Sequence, residues 1–288
     1  MTWKRKCYIT LMKVLMYLSV ILTASLTIFL IVYILVKGLP NISWNFLTTS
    51  PSYLSDSVGI LPDILNTLYL VFTTVIIVIP LAVASAVYLN EYATNKKIVA
   101  LIERASQTLS AIPSIIYGLV GMLCFCEFFH LNTSLLAGSF TLVMMNIPTV
   151  MQTTLESLKT VDDSYRQGSY ALGAGKWHMI RTVVLPNCLD GIITGVILAI
   201  GRILGESAAL LYTAGFAHVV HGYFTGLNSA GASLTVAMYV YAKVEGRFDE
   251  AYAIGAILMI LTLLINLSVD KIASFVKNRP FRKESKRK

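Results

Sequence analysis

Apolar runs of about 20 residues, separated by short polar stretches, set the plan of this chain. Six stand out, at about 14–36, 65–89, 113–130, 135–155, 188–212 and 250–275. Each is long enough to cross roughly 30 Å of hydrocarbon as a helix. The pattern predicts an all-α polytopic membrane protein with six transmembrane helices. A long, partly apolar connection separates the fifth run from the sixth. The first run follows "WKRKC" and starts like a signal peptide. Its apolar stretch exceeds a signal h-region, so it is expected to remain as an anchor.

Composition agrees. Hydrophobic residues make up 56% of the 288 and charged residues 13%, whereas soluble domains carry about 25% charge. Lys4, Arg5, Lys6 and Lys13 precede or open the first run. Lys96, Lys97 and Arg104 follow the second, and Lys159, Arg166, Lys176 and Arg181 follow the fourth. Eight more cations occupy the tail from Lys271 to Lys288. Outer connections hold only Lys37, Lys243 and Arg247. By the positive-inside rule both termini are cytoplasmic. The net charge of +8 is therefore a topology signal and calls for no nucleic acid. The tail is also placed to meet anionic lipid.

Little enzymatic chemistry is visible. The chain has no Walker A sequence, no GxSxG and no HExxH, so no catalytic residue and no nucleotide site of its own is expected. Energy for uphill transport would come from a partner or an ion gradient. Cys7, Cys124, Cys126 and Cys188 all avoid the exposed outer loops on this topology, so no disulfide framework is expected. His218 and His221 lack further ligands in sequence, and no metal site is expected. Asn41-Ile-Ser and Asn132-Thr-Ser fit the short glycosylation pattern.

The largest cytoplasmic feature is "VDDSYRQGSYALGAGKWHMIRTVVLPN". Ser164 with Gln167 fits a capping box that starts a helix near Tyr165. Gly173 suits the left-handed residue that ends it. A second helix would carry Trp177, Ile180 and Val184 on one face, with Lys176 and Arg181 elsewhere, and Pro186 would close it. Such an apolar-faced knob is either a surface connector or a docking element.

This loop resembles the coupling motif of ABC importer permeases: Glu-Ala-Ala, three residues, Gly, nine residues, Ile-x-Leu-Pro. Here the positions read Gln167, Gly168, Ser169, then Gly173, then Val183, Val184, Leu185 and Pro186. The spacing is kept, while Gln replaces Glu, and Gly and Ser replace the two Ala. Further stretches are similar to phosphate-specific (Pst) importer permeases: "GILPDILNTLYLVFTTVIIVIPLAVASAVYLNEYA", "AIPSIIYGLVG" and "AIGRILGESAALLYTAG". "ESAALLYTAG" and "EAYAIGAILMILTLLINL" resemble the A-type subunit of that branch.

The resemblance implies a type I ABC importer permease fold in a bacterial cell membrane. The permease core would be 61–275, with coupling helices at about 162–186. Residues 1–60 would hold the basic segment, first span and outer loop, and 276–288 the basic tail. Partners would be a C-type permease, two copies of a cytoplasmic ATPase that uses ATP and Mg, and an extracytoplasmic phosphate-binding protein, all at a lipid bilayer. No cofactor would bind this chain. ATPase coupling would fall to Gln167, Gly168, Ser169, Ala171, Leu172, Gly173, Trp177, Leu185 and Pro186. The implied function is ATP-driven import of inorganic phosphate. Import of another oxyanion (molybdate or sulfate) and a membrane scaffold or sensor are the rival readings.

Two charges sit inside the fifth run, in "AIGRILGESAALL". If the run is one helix, Gly191, Gly195, Ala199, Arg202 and Glu206 share its smallest-residue face. That face lets a neighbouring helix approach. Counting from Asp190, Arg202 lies about 18 Å deep at 1.5 Å per residue. A charge at such depth costs about 2.5–3.5 kcal/mol on insertion scales, and i, i+4 pairing would offset part of that. The pair is either a packing device or part of the translocation pathway, where Arg202 would grip phosphate oxygens in two-point fashion.

The topology is open to direct test. In a background without native cysteines, cysteine at Ser55 or Ser229 should react with an impermeant thiol reagent from outside. Cysteine at Ser164 should react only after the membrane is opened; its labelling in intact cells would reverse the orientation.

Overall fold

A computed structural model of the protein describes residues 3–51 and 58–284, so Ser55 lies outside the described residues. Among those described, every regular element is helical. Helix α1 (Trp3–Gly38) continues through a short 3-10 turn at Leu39–Asn41. Its apolar stretch buries almost nothing within the chain and packs along one line against the last helix. A small helix α2 (Trp44–Thr48) follows, capped by the Ser43 hydroxyl, which accepts from the Phe46 amide.

Helix α3 (Leu61–Val87) opens with Pro62, where a missing N–H costs nothing. It ends in a π-turn, Tyr88–Tyr92. Helix α4 (Lys96–Ser110), capped by Asn95, and helix α5 (Ser114–Gly121) with its π-turn Met122–Phe128 meet at a 99° bend. Pro113 explains the bend, because it drives the residue before it out of the helical region. The third apolar run is thus the second arm of a broken pair. Helix α6 (Leu135–Thr160) is straight enough to span by itself, although Pro148 lies inside it.

The loop after α6 holds α7 (Asp163–Ala171), α8 (Lys176–Met179), a π-turn at Ile180–Val184 and α9 (Leu185–Asn187). A 66° bend then leads into α10 (Leu189–Gly205). Helices α11 (Ala208–Thr213), α12 (Tyr223–Leu227) and α13 (Leu234–Lys243) build the connection to α14 (Phe248–Glu284). Four helices are long and apolar enough to cross a membrane, and six when each bent pair counts as one span. That agrees with the six runs read from sequence.

Helix α6 is the axis of the bundle. On its C-terminal half Val150, Leu155 and Leu158 meet Val78 and Ala82 of α3 and Met179, Ile180 and Val184 of the loop. On its N-terminal half Leu135, Leu142 and Met145 meet Leu70 of α3, Ile200, Ile203 and Leu204 of α10, and Leu210 of α11. A separate cluster joins Phe46 and Ile60 to Leu234, Tyr241 and Ile254. Lipid tails are as apolar as leucine, so these contacts act by close packing and not by exclusion of water. Small residues make the approach possible. A methyl group on Gly191 would collide with Ser157, one on Gly195 with Thr153 and one on Gly121 with Thr141. By contrast, Gly201 faces open space.

That difference gives a paired test. Gly195→Leu should destabilise the chain in detergent by about 1–3 kcal/mol through overpacking, seen as a lower thermal unfolding midpoint. Gly201→Leu should leave the midpoint of the isolated chain within error. Equal midpoints for both variants would overturn the packing assignment.

Candidate functional site

The two charges of α10 part company. The helix stops at Gly205, a poor helix former, and Glu206 adopts an extended backbone (φ −84°, ψ 123°). Its carboxylate turns forward: Oε1 accepts the Ala209 amide at 3.0 Å and so caps the start of α11. Its carbonyl accepts the Thr235 hydroxyl at 2.7 Å, and Ser233 lies 2.9 Å from that same hydroxyl. Glu206 is buried in this niche. Arg202 remains in the last turn of α10, partly exposed, and it pairs with no carboxylate among the described residues. The i, i+4 pair expected from a continuous helix is therefore corrected. The break at Gly205 removes the geometry, and a backbone amide outcompetes the guanidinium for Glu206.

Arg202 is not thereby unsupported. A cation in the last turn of a helix meets the free carbonyls and the negative end of the helix dipole, worth about 0.3–1 kcal/mol. Its charge also reaches the buried Tyr117 of α5. The small-residue stripe below it, Gly191 and Gly195, packs on α6 as expected. What results is a partly exposed guanidinium with no carboxylate partner among the described residues, beside a break in the span.

The loop is the second candidate. Its first helix is capped by Asp162, whose carboxylate accepts the Ser164 amide at 2.8 Å. The capping box expected at Ser164 is replaced, since an anion two residues earlier also satisfies the helix dipole. That backbone bond holds the exposed Asp162 carboxyl below the usual carboxylate range. Gly173 has φ +79°. Its amide donates to Tyr170 at 2.9 Å and the Ala174 amide to Ser169 at 3.1 Å, the paired bonds of a Schellman ending. The second helix differs from expectation. Ile180 and Val184 are fully buried, but Trp177 is 62% exposed. Helix α8 is a single turn, and only its last residue, Met179, reaches the core. Pro186 sits in the first turn of α9 and does not end a helix.

The outer face of the loop is bare. Gln167, Gly168, Ala171, Leu172, Gly173 and Trp177 are exposed, together with Pro186, while Ser169 is buried and Leu185 half-buried. Leu172 reaches 90% exposure. A Cβ added at Gly168, Gly173 or Gly175 would meet nothing. A groove of about 750 Å³ runs between the two helices, past Gly168, Gly173 and His178. The chain's own packing does not require glycine at 168.

Residues 79–281 match the family of binding-protein-dependent transport system inner membrane components. The chain belongs to this family. The permease is 32% identical to a probable ABC transporter permease protein, YqgI, of Bacillus subtilis, over 88% of this chain and 90% of that one. It is 31% identical to the phosphate transport system permease protein PstA of Haemophilus influenzae, over 91% and 93%. In fold it is similar to a chain of a bacterial alginate ABC transporter solved with its pentasaccharide-bound periplasmic protein (TM-score 0.68, 16% identity, 96% and 98% covered). It also resembles a chain of the MetNI methionine ABC transporter (TM-score 0.62, 19% identity, 75% and 95% covered). The permease is thus a multi-pass inner-membrane protein with the type I importer fold.

One polar pair escaped the sequence reading. At the N-terminal end of α3, Asp63 is fully buried and its Oδ1 lies 2.7 Å from His218 Nδ1. The tie holds the connection after α11 against α3, helped by Tyr69, whose hydroxyl donates to the His221 carbonyl at 3.2 Å. A lone Asp beside Pro62 at the start of an apolar run was the available signal. No metal cluster of three or more His, Cys, Asp or Glu forms among the described residues. Burial alone would lower the His218 pKa, but the Asp63 carboxylate, with Glu245 further off, outweighs it and raises the value above 6.5. A raised folded value means that the contribution, which needs Asp63 as a carboxylate, is lost as pH rises through the folded value. Between pH 7 and pH 9 the thermal stability advantage of wild type over His218→Gln should therefore shrink. An advantage that is constant or grows across that range would overturn the assignment.

Proposed function

We propose that the permease forms half of the translocation pathway of an ATP-driven importer of inorganic phosphate, and that Arg202 is the anion-contacting residue of that half. The unpaired, partly exposed guanidinium at the end of α10 carries this reading. A planar guanidinium offers a phosphate two parallel hydrogen bonds. With Glu206 engaged by the Ala209 amide, no carboxylate has to be displaced before the anion binds. Support for phosphate comes from relatives whose names state it, in Haemophilus influenzae and in Mycobacterium tuberculosis.

The coupling half of the proposal rests on the bare loop. Both termini and the loop lie in the cytoplasm, and Gln167, Gly168, Ser169, Ala171, Leu172, Gly173, Trp177, Leu185 and Pro186 meet an ATPase subunit. Two such subunits hydrolyse ATP with Mg; this chain hydrolyses nothing. A C-type permease supplies the other half of the pathway, and an extracytoplasmic binding protein delivers the anion and sets most of the selectivity. The division at 61–275 with a basic tail follows from this assignment.

Reconstitution of the whole transporter in liposomes tests it. Phosphate on the binding protein should stimulate ATP hydrolysis and enter the vesicle; preference for sulfate or molybdate would reassign the anion, and no substrate-coupled hydrolysis would favour a scaffold. Arg202→Ala should assemble yet lose at least about thirtyfold in uptake, the low end for truncating a buried ionic contact of about 2–5 kcal/mol. Arg202→Lys should retain partial uptake. Adding Glu206→Ala to Arg202→Ala should not restore transport. Uptake near wild type in Arg202→Ala would remove Arg202 from the pathway.

A further inference from the structure

Arg166 stands immediately before the Gln167-Gly168-Ser169 triplet. In sequence it counts only as one basic residue of the loop. In the fold its side chain turns inward from α7 and all its donor groups are engaged. Nε and Nη2 both donate to Glu91 Oε1, at 3.2 and 3.0 Å. Nη1 donates to the Val161 carbonyl at 2.7 Å and to Asp163 Oδ1 at 2.9 Å. Nη2 also donates to the Leu158 carbonyl at 3.1 Å. A guanidinium has five N–H donors, and these contacts account for a full set. The Asn90 amide donates to the same Glu91 oxygen at 2.8 Å. The ion pair is well shielded, with side-chain exposures of 15% for Arg166 and 6% for Glu91.

Three elements meet at this group. Leu158 lies in the last turn of α6 and Val161 just beyond it, where helix carbonyls lack intrahelical partners. Glu91 lies in the π-turn that ends the α3 span. Arg166 itself belongs to α7. The other half of the loop is tied to the same π-turn: Lys176 Nζ of α8 sits 4.7 Å above the Tyr92 ring. Both loop helices are therefore pinned to adjacent residues, 91 and 92, while the loop's opposite face stays bare.

Buried ion pairs often contribute little net stability, so folding alone is a weak reason for this one. We infer that Arg166 is a positioning residue for energy coupling: through Glu91 and the α6 carbonyls it makes the loop move as one body with the inner ends of α3 and α6. A load on the exposed loop face then reaches two spans at once. Without the tie, α7 would yield locally and the load would be dissipated. This inference rests on the reading that the loop docks on the ATPase.

The test uses the whole reconstituted transporter with its ATPase and binding protein, and reads three quantities: phosphate imported per ATP, basal ATP hydrolysis, and crosslinking of a Leu172→Cys probe to the ATPase. Glu91→Gln keeps shape and removes charge; Arg166→Ala removes the tie. Both should assemble, keep the crosslink and at least half of basal hydrolysis, and import about tenfold less phosphate per ATP. Combining them should be no worse than Arg166→Ala, as expected for groups acting as a unit. Asp163→Asn, which removes only the 81%-exposed partner, should leave the ratio unchanged. An unchanged ratio in both Glu91→Gln and Arg166→Ala, or failure of even Glu91→Gln to assemble, would make the tie a folding device and overturn the inference. Absence of the crosslink in the otherwise wild-type transporter is a separate outcome: it would sink the docking reading itself.

Discussion

The close approach of α10 to α6 is the contact on which the rest of the bundle depends. Within a bilayer no aqueous driving force pushes helices together, so backbone proximity has to supply the attraction. Gly191 and Gly195 let α10 settle against Ser157 and Thr153. That contact fixes the axis and depth of α10, and with them the position at which Arg202 emerges. It also places the end of α10 beside α11 and α13, where Glu206 finds the Ala209 amide and the Thr235 hydroxyl. Pushing α10 away from α6 would disturb the position of Arg202 and the capping geometry together.

Three shielded carboxylates among the described residues are each met differently. Asp63 has a histidine, Glu91 an arginine already committed to two carbonyls, and Glu206 a backbone amide. All three sit where a long helix begins, ends or breaks. Helix ends are where a membrane protein has unsatisfied backbone groups, and side-chain charge there does double service. Arg202 is the exception. Its only helix-end support is the dipole of α10, and no carboxylate answers it among the described residues.

Much of this was legible in the chain itself. The six runs read correctly because the bilayer demands long apolar segments, and Gly173 read correctly because few residues tolerate a left-handed ending. The failures share a cause: a helical wheel assumes an unbroken helix. Gly205 was the sole mark of the break that separates Arg202 from Glu206. The bend before α5 was signalled by Pro113, yet α4 is too polar to register as part of a span. Asp162, Asp163 and Ser164 can all cap a helix; the Ser164–Gln167 spacing favoured Ser164, whereas the fold uses Asp162. Trp177 was placed on one face with Ile180 and Val184, and the two part because the π-turn after α8 is invisible in a 3.6-residue period. The contacts of Arg166 bring together residues 75 positions apart, and no local pattern encodes such a meeting.

The bare face of the loop bears on how the protein can change over evolutionary time. Leu172 is 90% exposed and a Cβ added at Gly168 would meet nothing, so substitutions there carry little folding penalty. Any constraint on them comes from outside the chain's own packing. The loop's underside is the opposite: Met179, Ile180 and Val184 are locked into the core, and Arg166 is fastened at every donor. One short segment therefore combines a frozen side with a free one. The exposed side of such a segment can vary while its attachment to the spans stays the same, which lets that face diversify without a redesign of the membrane bundle behind it.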